Sequence, residues 1–193
     1  MPPEPPGARG AATPAEPHTA AELDVLTGLL PRGASVVIGH GRDGASTAAA
    51  RAFAARWQAD GGTVLDVVDW PEEAASWLRQ ARRFTAPAPD AWVVAAGPRG
   101  WAGMSRRLRQ STSWDPARTV GFASTGSPLA VALAGPGTLD GLRGATADGR
   151  TWQIGGDGDG DGDGPTGPPP PTATHRARTN SSNPTASTSP TGP

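Results

Sequence analysis

Short apolar runs alternate with stretches of helical periodicity along the middle of this chain. The runs are residues 34–38, 63–68, 91–96, 118–122 and 142–146. They lack the polar alternation of a strand with one wet face, so they predict strands covered on both sides. Between them, Thr19 is placed to cap a helix over 20–30 that sets Leu23, Leu26 and Leu30 on one face. A longer helix over 45–60 carries Phe53 and Trp57 at i,i+4, and Gly61-Gly62 closes it. Pro71 suits the first turn of a helix to about Phe84, with Ala74, Trp77, Leu78 and Ala81 at 3–4 spacing. Residues 99–110 turn Trp101, Met104 and Leu108 inward, and 128–134 make a short helix. The alternation predicts an α/β fold: a doubly wound, mostly parallel sheet of four to five strands with helices on both faces.

Composition sets the limits of that domain. Of the 49 Gly and Pro, 24 fall in residues 1–18 and 155–193, whereas all seven Trp and all three Phe lie between. The expected organisation is a disordered Pro-rich leader over 1–18 and one α/β lobe over 19–154. A disordered tail over 155–193 follows, Asp/Gly-rich and then Pro/Thr/Ser-rich. The absence of Cys excludes disulfides, thiolate catalysis and Cys-ligated metal. A net charge of −1 gives no electrostatic reason to expect a nucleic-acid partner. The first residues show no basic start followed by an apolar run, and no stretch is long and apolar enough to span a bilayer. The chain as written is therefore expected to be cytoplasmic.

The sharpest motif lies after the first strand. Gly39-His40-Gly41-Arg42-Asp43-Gly44 spells G-x-G-x-x-G between a strand and a helix, the setting of a dinucleotide loop. Asp66 or Asp69 would then take the ribose, which makes a nucleotide-binding, Rossmann-like enzyme domain the alternative reading. The plainer reading is a tight β–α turn. A hydrolase elbow fails because Gly41 stands where the nucleophilic Ser must be, and Ser46 lies past the turn. His40 is one of three His, with His18 and His175 in the terminal stretches, so it reads as a solvent-facing or backbone-bonded side chain. No metal and no cofactor is expected. Asp157, Asp159, Asp161 and Gly162 match the first half of a Ca²⁺ loop, but position 12 is Pro168, so a flexible acidic linker is the reading. The Arg79, Arg82, Arg83 and Arg106, Arg107, Arg109 clusters read as solvated helix faces.

The order of these segments resembles one lobe of the type I periplasmic binding proteins, and more narrowly their branched-chain amino-acid (leucine-binding) family of ABC-transporter substrate-binding proteins. The resemblance rests on Ala34-Ser-Val-Val-Ile38 with Asp43-Gly44, on the helix to Gly61-Gly62, and on Asp90-Ala-Trp-Val-Val-Ala-Ala-Gly97. It continues through Trp114-Asp-Pro-Ala-Arg-Thr-Val-Gly121 and Ala134-Gly-Pro-Gly-Thr-Leu-Asp-Gly-Leu-Arg-Gly-Ala-Thr146. It implies a non-enzymatic lobe for amino acids or similar small polar ligands, truncated or vestigial, whose family is extracytoplasmic. Carried over by position, the ligand contacts are Asp43, Gly44, Gly97, Pro98, Ala123 and Ser124. The aromatics that the family places before Gly44 and near the third strand are Asp43 and Gly97 here. The carboxylate that would hold an amino group falls near Ala123 and Ser124, where the sequence has none. Amino-acid specificity does not transfer. The implied partners are a small polar ligand, an ABC permease, or a second copy meeting the exposed cleft face.

Overall fold

The computed structural model describes residues 17–155. Its centre is the strand β3 (Ala91–Ala95), every residue of which is buried. Beside it runs β1 (Ser35–Gly41), and the alternate side chains of these two strands feed two separate cores. Val36, Ile38, Val93 and Ala95 face one side, against α1 (Ala20–Gly28) and α2 (Gly44–Ala59). Val37, Trp92 and Val94 face the other, where α3 (Leu78–Thr85), α4 (Pro98–Ser111) and α5 (Pro128–Ala134) pack. A strand that must fill two hydrophobic layers has no room for polar alternation, which is why these runs are continuous.

The sheet order is β2-β1-β3-β4-β5-β6, with β2 (Thr63–Trp70), β4 (Thr119–Gly121), β5 (Arg143–Ala145) and β6 (Thr151–Gln153). All pairs are parallel except β5–β6. This is the expected doubly wound sheet with one strand more than anticipated. The sixth strand is a three-residue antiparallel return, too short to show a pattern in sequence. Its Trp152 fills the space left by Gly126 and Gly144, where an added Cβ would lie 2.7 and 2.3 Å from the indole.

Three boundaries differ from expectation. First, β1 runs on through Gly41, so Gly39 and Gly41 are strand residues rather than loop residues. Second, residues 71–77 are not helical, and α3 begins only at Leu78. This segment lies along α4 instead. Trp77 packs where Gly103 lacks a Cβ, Glu72 does the same at Gly97 and Gly100, and the Trp77 indole donates to the Pro71 carbonyl at 3.2 Å. Third, β2 is an edge strand with only two fully buried residues, and Leu65 is an extra residue at a bulge opposite Val36/Val37. Residues 1–16 of the leader over 1–18, and residues 156–193 of the tail with its Asp157–Gly162 motif, lie outside the described residues.

Of the two cores, the one under α3, α4 and α5 is aromatic. Trp70, Phe84, Trp92, Trp101 and Trp114 form a chain of ring contacts with centroids 5.7–6.3 Å apart. The second is aliphatic, with Phe53 stacked on Trp57 and the Trp57 indole donating to the Ala34 carbonyl at 3.1 Å. No helix among the described residues is long and apolar enough to cross a membrane.

Candidate functional site

Chain order reverses between β1 and β3: β1 is followed by β2 on one side, and the chain then crosses to β3 on the other. The loops leaving the C-terminal ends of β1 and β3 therefore diverge and leave a crevice, the usual ligand position in open α/β sheets. The carried-over residues all lie on this rim. Asp43 is the N-cap of α2 and Gly44 its first residue. Gly97 is the N-cap of α4 and Pro98 its first residue. Ala123 and Ser124 open a short 3-10 turn over Ala123–Gly126 after β4. The loops after β3 and β4 are tied together, because the Ser124 hydroxyl donates to the Ala96 carbonyl at 2.8 Å and Phe122 N–H to Val94 at 3.0 Å. Asp43 and Gly44 follow the neighbouring strand β1 and make no hydrogen bond to either loop.

Carboxylates of the chain itself meet the helix starts on this rim. Asp43 accepts the Ser46 N–H at 2.9 Å, which occupies the N-terminus of α2. At the 3-10 turn, Glu22 from α1 accepts the Ala123 N–H at 2.7 Å. Glu22 is only 3% exposed, and it also closes the capping box with Thr19 at the start of α1. At α4, which has no side-chain cap of its own, Glu72 lies against the first turn. A Cβ on Gly97 would sit 2.9 Å from its Oε1, and one on Gly100 would sit 2.6 Å from its Oε2. Both glycines are what give this carboxylate its seat. The Glu72 Oε1 is buried and has no hydrogen-bond partner.

Two sequence expectations change here. A carboxylate does reach Ala123, but it comes from Glu22, 101 positions away, and no spacing rule could reveal it. The dinucleotide pattern also has a packing explanation. A Cβ at Gly39 would lie 2.5 Å from the Trp70 ring and 2.7 Å from Phe84, so this glycine serves the aromatic core rather than a phosphate. Nor are the two aspartates waiting for a ribose. Asp66 takes two hydrogen bonds from the Arg83 guanidinium, at 2.8 and 2.7 Å, and Asp69 takes one from Arg42 at 2.5 Å. These guanidinium hydrogen bonds hold both carboxyls below the usual aspartate range, against a smaller opposing effect of burial.

His40 is half-buried at the end of β1, with Nδ1 donating to the Gly41 carbonyl at 2.7 Å. That bond puts the proton of the neutral ring on Nδ1 and leaves Nε2 as an acceptor. Among the described residues no group of three or more His, Asp and Glu comes together as a metal ion requires. Of the basic clusters, only Arg83 makes an ion pair, with Asp66. Arg79, Arg82, Arg106 and Arg109 lie exposed on helix faces, and Arg107 is partly covered.

No family model and no curated protein matches the sequence. Solved structures do match. One is a candidate branched-chain amino acid ABC transporter from Silicibacter pomeroyi, 17% identical with a TM-score of 0.56, covering 69% of this chain and 35% of that one. Another is an extracellular ligand-binding receptor from Rhodopseudomonas palustris, 19% identical with a TM-score of 0.54, covering 66% of this chain and 35% of that one. A third is an ABC-transporter solute-binding protein from R. palustris in complex with 4-hydroxybenzoate, 14% identical with a TM-score of 0.51, covering 64% and 34%. The chain thus spans about a third of the length of the solved structures it matches. At these identities the likeness is one of architecture, and it agrees with the resemblance read from segment order. The fold of this chain is that of a single lobe of the ABC-transporter solute-binding proteins.

Proposed function

We propose that this chain is a non-enzymatic, solute-binding-protein-like lobe whose rim after β1, β3 and β4 contacts a small polar solute. The observation that carries the reading is the sheet order, which opens a crevice between the β1 and β3 loops in a fold shared with transporter solute-binding proteins. The rim further narrows the solute. Helix starts normally favour anions, but here Asp43, Glu72 and Glu22 already stand at them. A solute carboxylate would meet like charge, so the reading favours neutral amides and ligands with a cationic nitrogen. In the transporter setting of its structural neighbours, the onward partner is a permease. Against the nucleotide reading stand the packing of Gly39 on Trp70 and Phe84 and the ion pairs of Asp66 and Asp69.

Isothermal titration of the full chain against amides, amines, amino acids and short acids tests this directly. Gly44→Trp is the informative variant, because a side chain at Gly44 enters open space and would cover the crevice without disturbing the core. The expected result is heat from amides or amines that this variant abolishes. A folded protein silent across the panel would overturn the binding role and leave the open rim as a surface for a second copy, which light scattering would detect.

A further inference from the structure

On the opposite flank of β1, α2 and the edge strand β2 enclose a trough of about 450 Å³ that the rim reading does not use. Its helical wall is Thr47, Ala50, Arg51 and Ala54, spaced i, i+3, i+4 and i+7 and therefore on one face of α2. Its strand wall comes from the register: Val67 pairs with Ile38 and Asp69 with His40, which puts all four side chains on the α2 side of the sheet. The trough is chemically divided. Ala50, Ala54 and Val67 make an apolar stretch, and Val67 is left 40% exposed there, although it is a large aliphatic side chain on a strand. His40, Arg42, Thr47 and Asp69 stand toward the end where β1 and β2 finish and α2 begins.

The charges in the trough are not balanced. Arg42 is held by Asp69. Arg51 makes no hydrogen bond or ion pair with any described residue, although other arginines of the protein, such as Arg56 and Arg83, have Asp partners. The Thr47 hydroxyl, one turn from Arg51, likewise has no partner among the described residues, and the His40 ring is oriented by its bond to the Gly41 carbonyl. Together Arg51 and Thr47 offer one anion a guanidinium and a hydroxyl, with the His40 ring lining the same trough. Asp69 beside them disfavours a second negative charge, which argues against phosphate. The apolar stretch from Ala50 to Ala54 is one helical turn, about 6 Å long, and gives an alkyl chain a surface to cover.

We propose that this trough binds small monocarboxylates that carry an apolar chain, with the carboxylate at Arg51 and Thr47 and the chain along Ala50, Ala54 and Val67. The site is separate from the rim and opposite to it in charge preference, so either can fail alone. The test is nuclear magnetic resonance titration of the full chain with sodium hexanoate, following the His40 ring and the Ala50 and Ala54 methyls. Acetate, inorganic phosphate and hexylammonium chloride serve as comparators at constant ionic strength. Saturable shifts at those three residues are expected with hexanoate, weaker ones with acetate, and none with hexylammonium. Arg51 is exposed and Ala is a good helix former, so Arg51→Ala should fold normally and weaken hexanoate by about tenfold, the loss of one charge-assisted pair. Arg106→Ala on α4 should leave it unchanged. The proposal is overturned if hexanoate leaves His40 unmoved, if phosphate binds more tightly than hexanoate, or if Arg51→Ala binds as well as the parent.

Discussion

The rim and the trough sit on two flanks of the same strand and treat charge in opposite ways. At the rim, Asp43 and Glu22 are spent on backbone N–H groups at helix starts, and Glu72 lies against a third. In the trough, Asp69 is spent on Arg42, while Arg51 is exposed with no partner among the described residues. The difference shows that the position of a charge in the fold, rather than the count, determines what a solute meets. The chain is close to neutral overall, yet one flank presents carboxylates and the other a free guanidinium.

The comparison breaks most readily at Glu22. Its carboxylate is buried and accepts from Ala123, so Glu22→Ala leaves that N–H without its acceptor and is expected to cost about 3 kcal/mol. Urea unfolding measures this, and a loss near zero would mean that the rim carboxylates are ornamental to the fold. Gly39→Ala tests whether the rim glycines serve packing or ligand approach. The added methyl would press on Trp70 and Phe84, for an expected loss of about 2 kcal/mol, with the solute heats unchanged. Altered solute binding at unaltered stability would reverse that assignment.

Asp43→Ala removes the α2 cap and is expected to cost about 1 kcal/mol in the same assay. The aspartate–arginine pairs of β2 are gentler. Asp66 and Asp69 are held below the usual range by Arg83 and Arg42, so their contribution is present at neutral pH. It is lost as pH falls below the ordinary aspartate range through their lowered values. Both pairs are substantially exposed, so Asp69→Asn should change stability by less than about 1 kcal/mol. It should flatten part of the acid limb of a stability–pH curve, and parallel curves for parent and variant would remove the pair from the account. The smallest effect is expected at Glu72→Gln. Its buried oxygen has no partner to lose, so stability should stay within about 0.5 kcal/mol. In the same titrations, acetate should then gain access to the first turn of α4, sharpening the contrast between the flanks.

How far the sequence could be read follows from what each element has to satisfy. The β3 run was legible because a central strand is apolar on both faces, and α2 because Phe53 and Trp57 mark one side of a helix. The capping box at Thr19 was half visible, since the cap residue could be named but not the second duty of Glu22. Residues 71–77 were misread because Pro71 and the 3–4 spacing of Ala74, Trp77 and Leu78 satisfy a helix locally. The glycines of α4 offered a better place for Trp77 and Glu72. β6 was missed because three residues at a sheet edge carry no period.

Segment order and hydrophobic pattern were enough to establish the layered α/β architecture and the lobe it resembles, because burial on two faces must be written into consecutive residues. They also put Asp43, Gly44, Gly97, Pro98, Ala123 and Ser124 at strand ends. Local capping spends Asp43, but the long-range pairings of charge depended on tertiary structure alone. Glu22 finds Ala123 and Arg42 finds Asp69 through contacts between positions far apart along the chain. Local spacing cannot encode such pairings, since they exist only once the helices are laid on the sheet.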